Sequence, residues 1–294
     1  MKPPPFDYHA PDELSEVLDL LSDYGDDAKI IAGGQSLMPL LAFRLARPHA
    51  LIDVTRIDGL HHLDLAADEV VLGATIRHRE VERLDELQLP TAIHEAISHI
   101  GHPAIRNRGT VGGSMAHADP RAEWAGLSLA FDGTIVTRSN RGARTIAAEE
   151  FFLGFLTSAV EPDEIVTEIR LRRPSSDSGS SFVEFARRHG DFAIGGVCAV
   201  IRLTAEGVVE DARVAVIGTG NLPTRCHATE RTLENQSFGE DVVAAAVAEL
   251  QTDLEVWGVD ETEQAYRLQV GRELARRSIA TAAGRAKNAL VGHV

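Results

Sequence analysis

Cysteine and lysine are both scarce in this chain. Its 294 residues include only two cysteines, Cys198 and Cys226, which lie far apart and form no CxxC pair. Two isolated cysteines cannot supply the four ligands of an iron–sulfur cluster or a structural zinc site, and they fit a reducing cytoplasmic setting. Lysine occurs three times, and the formal net charge of −15 argues against a nucleic-acid partner.

Long apolar runs and the common catalytic motifs are also missing. No run of 18 apolar residues exists, so no membrane span is expected, and the N-terminal MKPPPFDYHAP lacks the hydrophobic core of a secretion signal. The absence of GxGxxG, GxxxxGK[ST], HExxH and GxSxG argues against a Rossmann domain, a P-loop NTPase, a zinc peptidase and a serine hydrolase. Hydrophobic residues make up 44% of the chain, which is ample for one to three folded domains.

Residue patterns divide the sequence into four parts. Residues 1–55 combine a helix starting at Asp12 with strands around Ile30 and over residues 50–54, which is typical of a small α/β unit. Residues 56–173 alternate strands and helices, and residues 174–181, PSSDSGSS, have the composition of a linker. Residues 182–294 begin as three antiparallel strands and continue as helices, the longest over 261–290.

One long segment shows neither helical nor strand periodicity. It covers residues 101–120, GHPAIRNRGTVGGSMAHADP, and is rich in Gly, His, Asn and Pro. We therefore predict a loop, and a loop of this length inside a compact domain is usually functional. A helix is predicted directly after it, from Glu123.

Two glycine pairs are the first candidates for a binding site. Gly33-Gly34 lies in AGGQS, and Gly112-Gly113 lies in TVGGS. Glycine lets backbone N–H groups approach an anion without an intervening Cβ, so two such segments suit both phosphates of a dinucleotide. Three flanking hydroxyl groups are further donors, those of Ser36, Thr110 and Ser114. The alternative is that each pair only forms a tight turn.

Other polar side chains around the second pair each have two interpretations. Asp119 and Glu123 form either an acid/base pair or, for Glu123, the favourable first turn of a helix. Arg106 and Arg108 either neutralise phosphate or face solvent. Three histidines are either metal ligands or, more commonly, hydrogen-bonding groups: His99, His102 and His117.

Four motifs occur in order along the chain: MKPPPFDYHAP, IAGGQSLMPLLAFRLARP, GHPAIRNRGTVGGSMAHADPRAEW and RRHGDFAIGG. Together they resemble the FAD-binding medium subunit of molybdenum hydroxylases. This family includes the medium subunit of aerobic carbon monoxide dehydrogenase and the flavin subunits of xanthine-dehydrogenase-like enzymes. The resemblance covers essentially the whole chain, and the ordered set is far more specific than either glycine pair.

The resemblance implies an α+β protein with two parts. The first is a two-lobed FAD-binding fold of the vanillyl-alcohol-oxidase (PCMH) type, with residues 1–55 and 56–173 as its lobes. The second, after the linker at 174–181, is a C-terminal α+β domain over 182–294, built from a three-stranded antiparallel sheet and helices.

The resemblance also implies the cofactor site. FAD would lie between the lobes, with its pyrophosphate on the two glycine segments. The implied cofactor-binding residues are Ile30, Ile31, Ala32, Gly33, Gly34, Gln35, Ser36, Leu37, Ile100, Gly101, Thr110, Val111, Gly112, Gly113, Ser114, His117, Glu123, Ile165, Asp191 and Phe192.

Several of these residues have more specific implied roles. Ile100 and Gly101 would lie by the nucleotide half of FAD, and Ile165 near its adenine or ribose. Glu123 would bond flavin-side hydroxyls, and the Asp191-Phe192 segment would lie beside the isoalloxazine ring. Two positions depart from the family pattern: Ser114 stands where Asn or Asp is frequent, and Phe192 where several members have Tyr.

Finally, the resemblance implies a division of work between subunits. A large subunit oxidises the substrate at a molybdenum cofactor, and a small subunit carries two [2Fe–2S] clusters. This chain takes their electrons on FAD and passes them to an acceptor, in a cytoplasmic dimer of heterotrimers. No catalytic residue and no metal ligand is implied here. A stand-alone FAD oxidoreductase and a flavin-free assembly or scaffold subunit are the alternatives.

Overall fold

The structure is a computed structural model that describes residues 2–85 and 88–292. Outside the described residues lie Met1, residues 86–87 and residues 293–294. The first three of these positions belong to the predicted lobes and the last two to the predicted C-terminal domain. None of the helices in the described ranges combines the length and apolar character that a membrane span needs.

A small parallel sheet begins the chain. Its strands, in the spatial order β1-β3-β2, are β1 (Asp7–His9), β2 (Ala28–Ile31) and β3 (Ala50–Asp53). Parallel neighbours need crossover connections, and here these contain helices α1 (Leu14–Tyr24) and α2 (Leu37–Ala42). Helix α1 buries Val17, Leu18 and Leu21, as its helical spacing predicts.

An antiparallel sheet of five strands follows, in the spatial order β4-β5-β10-β6-β7. The strands of this sheet are β4 (Leu63–Leu65), β5 (Glu69–Gly73), β6 (Thr134–Ser139), β7 (Gly142–Ala147) and β10 (Ile165–Arg172). A separate hairpin is formed by β8 (Phe152–Gly154) and β9 (Thr157–Ser158). The helices of this region are α3 (His78–Glu82), α4 (Thr91–His99), α5 (Pro103–Arg106), α6 (Val111–His117), α7 (Glu123–Ala130) and α8 (Ala148–Phe151).

A second antiparallel sheet forms the C-terminal region. Its strands, which pair in chain order, are β11 (Ser178–Phe185), β12 (Gly195–Leu203), β13 (Val209–Ile217) and β14 (Thr224–Arg225). The helices that follow are α9 (His227–Leu233), α10 (Glu240–Ala248), α11 (Leu250–Asp253) and α12 (Glu261–Gly292).

Three sequence-based expectations need correction. The predicted loop over residues 101–120 contains two short helices, α5 and α6, because Pro103 and Thr110 each start a helical turn. The last four residues of the predicted linker at 174–181 belong to β11, which pairs with β12 from Ser178 onward. The predicted three-stranded sheet has a short fourth strand, β14, at its edge.

Helix α7 connects the two antiparallel sheets. Every residue from Trp124 to Ala130 is buried, and the core around this helix includes Cys198 and Ile217 from the C-terminal sheet. The opposite face of that sheet packs on α12 so closely that a Cβ on Gly179 would lie on the carbonyl oxygen of Ala282. The C-terminal sheet is therefore covered on both faces.

Candidate functional site

The first glycine segment, residues 32–37, connects the end of β2 to the start of α2. Gly34 has φ +70°, and its carbonyl accepts a hydrogen bond from the Met38 N–H at 3.0 Å. The Gln35 side-chain amide donates to the Gly33 carbonyl at 2.8 Å and so braces the turn. Within the described residues, nothing accepts a hydrogen bond from the amide N–H groups of Gly34, Gln35 or Ser36. Half-buried amides without acceptors are suited to an anionic ligand.

The second glycine segment, residues 109–114, differs because the amides of both glycines in its pair are already bonded inside the protein. The Thr110 hydroxyl caps α6 and accepts from the Gly113 N–H at 3.2 Å. Three further amides donate to backbone carbonyls: Val111 to Ile76 at 2.9 Å, Gly112 to Ala74 at 2.9 Å, and Ser114 to Thr110 at 3.0 Å. The segment instead exposes the surface of Gly113 and half of Ser114.

The two glycine segments touch. A Cβ on Gly33 would lie on the carbonyl oxygen of Arg108 and 2.7 Å from the Cα of Gly109. Only glycine at position 33 therefore lets the parallel sheet approach the helical segment ahead of α6. Residues that are about 75 positions apart in sequence thus meet at one place, as the resemblance implies.

A buried histidine supports this meeting point. His78 lies beneath Gly109, where a Cβ would be 2.8 Å from the His78 ring. The Trp124 indole Nε1 donates to His78 Nδ1 at 3.0 Å, so the ring is neutral and carries its proton on Nε2. Burial, with a smaller contribution from the charge of Arg106, lowers the pKa of His78 to about 4. Sequence reasoning missed His78, since a histidine inside a helical pattern gives no signal of burial.

Arg106 fixes the turn at residues 100–101. Its guanidinium donates two hydrogen bonds to the Glu82 carboxylate, at 3.0 and 3.1 Å, and two more to the carbonyls of Ile100 and Gly101, at 3.1 and 2.9 Å. The side chain is buried. Arg106 therefore neither faces solvent nor contacts phosphate, and its role is to hold the turn.

The same turn meets the segment after β11. Gly190 has φ +85°, and a Cβ there would lie 2.6 Å from the His102 ring and 3.2 Å from the carbonyl carbon of Gly101. The Arg121 guanidinium lies 4.4 Å from the centre of the exposed Phe192 ring and pairs with the buried Asp119 at 3.1 Å. The turn at 100–101 thus lies next to the Asp191-Phe192 segment.

Two carboxylic acids in this part of the molecule have raised pKa values. Glu123 starts α7, where burial raises its pKa to about 7, and the charge of Asp119 adds to the shift. Glu184, near the end of β11, has a 2% exposed side chain, and burial raises its pKa to about 8, with a further contribution from Glu123. The sequence analysis singled out Glu123 but missed Glu184. The alternating pattern of its strand predicts that the Glu184 side chain faces solvent.

A cleft of about 730 Å³ opens beside the first glycine segment. Its lining residues come from both glycine segments and from the chain between them: Ala32, Gly33, Thr55, Ile57, Asp58, His61, Thr75, Arg77, Arg79, Glu80, Arg83, Asn107, Arg108 and Thr110. Arg77 bonds the Asn107 carbonyl, whereas Arg83 and Arg108 have no carboxylate partner within the described ranges. In a chain of net charge −15, the cleft lining has an excess of positive charge, with four arginines against the two acids Asp58 and Glu80.

Comparisons with known proteins identify the family. A model described as the FAD binding domain in molybdopterin dehydrogenase matches residues 4–174, and one described as the CO dehydrogenase flavoprotein C-terminal domain matches residues 180–282. The chain belongs to the FAD-binding molybdopterin dehydrogenase family. The resemblance found in the sequence is therefore confirmed.

Relatives of this family match over almost the whole chain. The 6-hydroxypseudooxynicotine dehydrogenase complex subunit alpha of Paenarthrobacter nicotinovorans is 41% identical over 98% of this chain and 97% of its own. The caffeine dehydrogenase subunit beta of Pseudomonas sp. (strain CBB1) is 36% identical over 97% of each chain. The structure of carbon monoxide dehydrogenase from Hydrogenophaga pseudoflava superposes with a TM-score of 0.92 at 32% identity, covering 97% of this chain and 99% of that chain.

These likenesses confirm the fold at the level of the family. The chain has the mixed helix-and-sheet fold of a carbon monoxide dehydrogenase medium chain, and it is an oxidoreductase subunit whose cofactor is FAD. The chemistry of the site fits this cofactor, since acceptor-free amides suit a pyrophosphate and the exposed Phe192 suits an apolar ring.

Two of the implied FAD-binding residues differ from the rest in their surroundings: one is buried in a separate core, and the other is half-buried. Ile165 is 3% exposed and packs with Val54 and Ile57 in the core of the N-terminal sheet. His117 ends α6 and is half-buried, and burial lowers its pKa. Ile30 and Ile31 lie in β2, directly before the first glycine segment. For all the implied site residues, contact with FAD stays a prediction.

Proposed function

We propose that this chain is the FAD-binding electron-transfer subunit of a molybdenum-containing hydroxylase. It accepts electrons from [2Fe–2S] clusters of a partner subunit and passes them to an external acceptor. FAD supplies the redox chemistry when bound, because it exchanges electrons one or two at a time. The residues of this chain bind and orient the cofactor and exclude water around it.

The acceptor-free amides of the first glycine segment carry this proposal. Gly34, Gln35 and Ser36 present three N–H groups on a turn that Gln35 and Gly33 brace from within. Such a row of donors binds the charge of a pyrophosphate without a basic side chain. The same strand-to-helix position is the one that the sequence resemblance assigned to the cofactor.

The opposite end of FAD would lie against the C-terminal region. One face between the two antiparallel sheets is surrounded by three features. These are the turn at residues 100–101, the Arg121–Phe192 pair and the first turn of α7. We therefore assign the turn at 100–101 to the isoalloxazine half rather than to the nucleotide half. In this arrangement the two-lobed vanillyl-alcohol-oxidase-type fold holds the pyrophosphate, and the C-terminal region covers the ring.

The proposed partners are a large molybdenum subunit and a small [2Fe–2S] subunit, in a cytoplasmic dimer of heterotrimers. Relatives carry the names medium chain and complex subunit alpha, which are names of parts of larger enzymes. Relatives at 41%, 36% and 34% identity are named for 6-hydroxypseudooxynicotine, caffeine and carbon monoxide. One kind of flavin subunit thus serves different substrates, which supports substrate choice by the large subunit.

The visible absorption spectrum tests the proposal. The purified chain, alone and with its co-expressed partners, should show flavin bands and release FAD rather than FMN on denaturation. Bands that appear only with partners would mean that assembly completes the site. A chain that is colourless in both states would support the scaffold alternative, and a yellow chain that oxidises a small substrate without partners would support the stand-alone oxidoreductase.

A further inference from the structure

Exposed large apolar side chains gather in two short stretches of the described chain. One stretch surrounds α2, and its exposed side chains, called the α2 patch below, are Met38, Phe43 and Leu45. The other is the β8–β9 hairpin, with Leu153, Phe155 and Leu156. Single exposed apolar side chains are normal on a protein surface, whereas a group of them marks an interaction surface.

The end of α2 holds its exposed side chains in a hydrogen-bonded turn. Phe43 and Leu45 are 66% and 76% exposed. The Leu45 N–H donates to the Leu40 carbonyl at 2.9 Å, and Arg44 closes the helix with φ +59°. The Arg47 Nε donates to the Arg44 carbonyl at 3.2 Å. A partner that binds here would therefore meet a turn that is already ordered, which lowers the entropic cost of association.

The charges around the two apolar groups have opposite signs. Residues 37–48, LMPLLAFRLARP, contain two arginines and no acid, and the hairpin is flanked by Glu149, Glu150 and Glu161. Neither Arg44 nor Arg47 pairs with a carboxylate within the described ranges. In a chain of net charge −15, this basic rim is complementary to a partner surface that is apolar and rimmed by carboxylates. A two-fold contact between two α2 patches would instead bring arginines against arginines.

The α2 patch is continuous with the proposed flavin site. Helix α2 begins directly after Ser36, and the Met38 N–H donates to the Gly34 carbonyl at 3.0 Å. A Cβ on Gly34 would lie 3.2 Å from the Met38 side chain. Met38 thus joins the patch to the segment whose free amides carry the proposed function. Of the proposed partners, the subunit that delivers electrons to the flavin is the one that must lie against this site.

We propose that the α2 patch is the docking surface for the small [2Fe–2S] subunit. The inference rests on the proposed function, from which it takes the partner, and it adds the surface that the partner covers. Phe43 and Leu45 provide the apolar contact, and Arg44 and Arg47 face carboxylates of the partner. The arginines orient the partner and make association sensitive to salt. The β8–β9 hairpin, with its acidic flanks, does not suit the same partner surface.

Carbodiimide cross-linking of the assembled enzyme tests which subunit faces the patch. The reagent joins carboxylates to lysine amines but not to arginine, and this chain has only three lysines. In Arg47→Lys, co-expressed with the large and small subunits, position 47 should cross-link to a carboxylate of the small subunit, as identified by peptide mass spectrometry. Arg231→Lys, at another exposed arginine on α9, is the control and should give no such cross-link.

A second variant tests the apolar contact. Leu45→Asp introduces a charge into the patch, so the amount of this chain that co-purifies with a tagged small subunit should fall by about tenfold or more. Leu153→Asp, the same change in the hairpin, should co-purify as wild type does. The FAD content of both purified variants should equal that of wild type, because neither position belongs to the proposed flavin contacts.

The results that would overturn the inference differ from failure of the proposed function. Cross-links from position 47 to the large subunit or to a second copy of this chain, or none in an intact complex, would reject the assignment. Equal co-purification of wild type and Leu45→Asp, or an equal loss in Leu153→Asp, would do the same. A wild-type complex without flavin would instead reject the proposed function, and a wild-type chain that forms no complex with these subunits would reject both.

Discussion

The two glycine segments contain the same residue pair but differ in whether their backbone amides are free to bind a ligand. In the first, residues 32–37, Gly33 allows contact with the backbone of residues 108–109, and the amides that follow have no acceptor in the described chain. In the second, residues 109–114, the amides of Gly112 and Gly113 are both bonded inside the protein, and Gly112 packs against Ala74. A glycine pair alone thus indicates close approach, and only the bonding state of its amides indicates a ligand.

This difference suggests a division of labour within the site. The first segment supplies free donors, and the second supplies a rigid platform that is held from beneath by His78 and capped by Thr110. Substitutions in the first segment should therefore act on the cofactor, apart from Gly33, which belongs to the contact itself. Substitutions in the second segment should act mainly on folding stability, apart from those at the exposed Gly113.

The largest effect is expected at the contact between the segments. In Gly33→Ala the new Cβ would overlap the backbone of Arg108, so the protein should lose about 3 kcal/mol of unfolding free energy, and FAD binding should fail. Urea unfolding and flavin fluorescence measure the two effects. Gly59→Ala, where a Cβ meets nothing within 4 Å, is the matched control. A Gly33→Ala protein with wild-type stability would mean that the segments do not touch.

Acid should weaken the platform of the second segment. The pKa of His78 is lowered to about 4 in the folded protein, so its contribution to stability is present above about pH 6.5 and is lost as the pH falls through 4. The loss should reach about 3 kcal/mol, because burial and the charge of Arg106 disfavour the charged ring; that ring also can no longer accept from Trp124. Unfolding free energies measured from pH 7 to 4 test this.

The variant His78→Gln isolates the contribution of this group. It removes the titration, so its stability should be lower at pH 7 but should fall less on acidification. His49→Gln, at an exposed position, should keep the wild-type pH profile. If wild type and His78→Gln lose stability in parallel, other groups govern the acid response.

The two glycines of the second segment should separate stability from binding. A Cβ on Gly112 would lie 2.5 Å from the Cβ of Ala74, whereas on Gly113 it would meet only the Thr110 hydroxyl, at 2.8 Å. Gly112→Ala should therefore cost about 1–3 kcal/mol of stability, and Gly113→Ala clearly less. If the exposed surface of Gly113 faces FAD, Gly113→Ala should weaken FAD binding more than it lowers the melting temperature.

The same geometry limits the use of Gly34 as a test. A side chain at Gly34 would be strained by φ +70° and would meet Met38 at 3.2 Å, with or without a ligand. Loss of flavin in Gly34→Val would therefore not by itself locate the pyrophosphate. Side-chain variants of the same segment, such as Ser36→Ala, test the contact with the pyrophosphate without straining the turn.

The sequence predicted that the two glycine segments meet, but it did not predict all the elements that bring them together. The ordered motifs implied that residues 33 and 110 lie at one site, because a family resemblance carries information about long-range contacts. Local sequence patterns do not carry that information. The helix α6 was missed because its first turn carries Gly112-Gly113, and the need for glycine there comes from Ala74, some forty residues earlier in sequence. Glu184 was missed because helix α4, which packs on β11, comes from another part of the chain.

The smallest effects on FAD binding are expected from removing one hydroxyl group in each segment. The Ser36 and Ser114 hydroxyl groups both lack a hydrogen-bond partner in the described chain, and both residues are half-buried. Since the first segment supplies the free donors, Ser36→Ala should weaken FAD binding by about 3- to 10-fold, the worth of one net hydrogen bond, without changing stability. Ser114→Ala should weaken it by less than about threefold. Fluorescence titrations of both variants decide the order, and a larger effect at Ser114 would move the pyrophosphate onto the second segment.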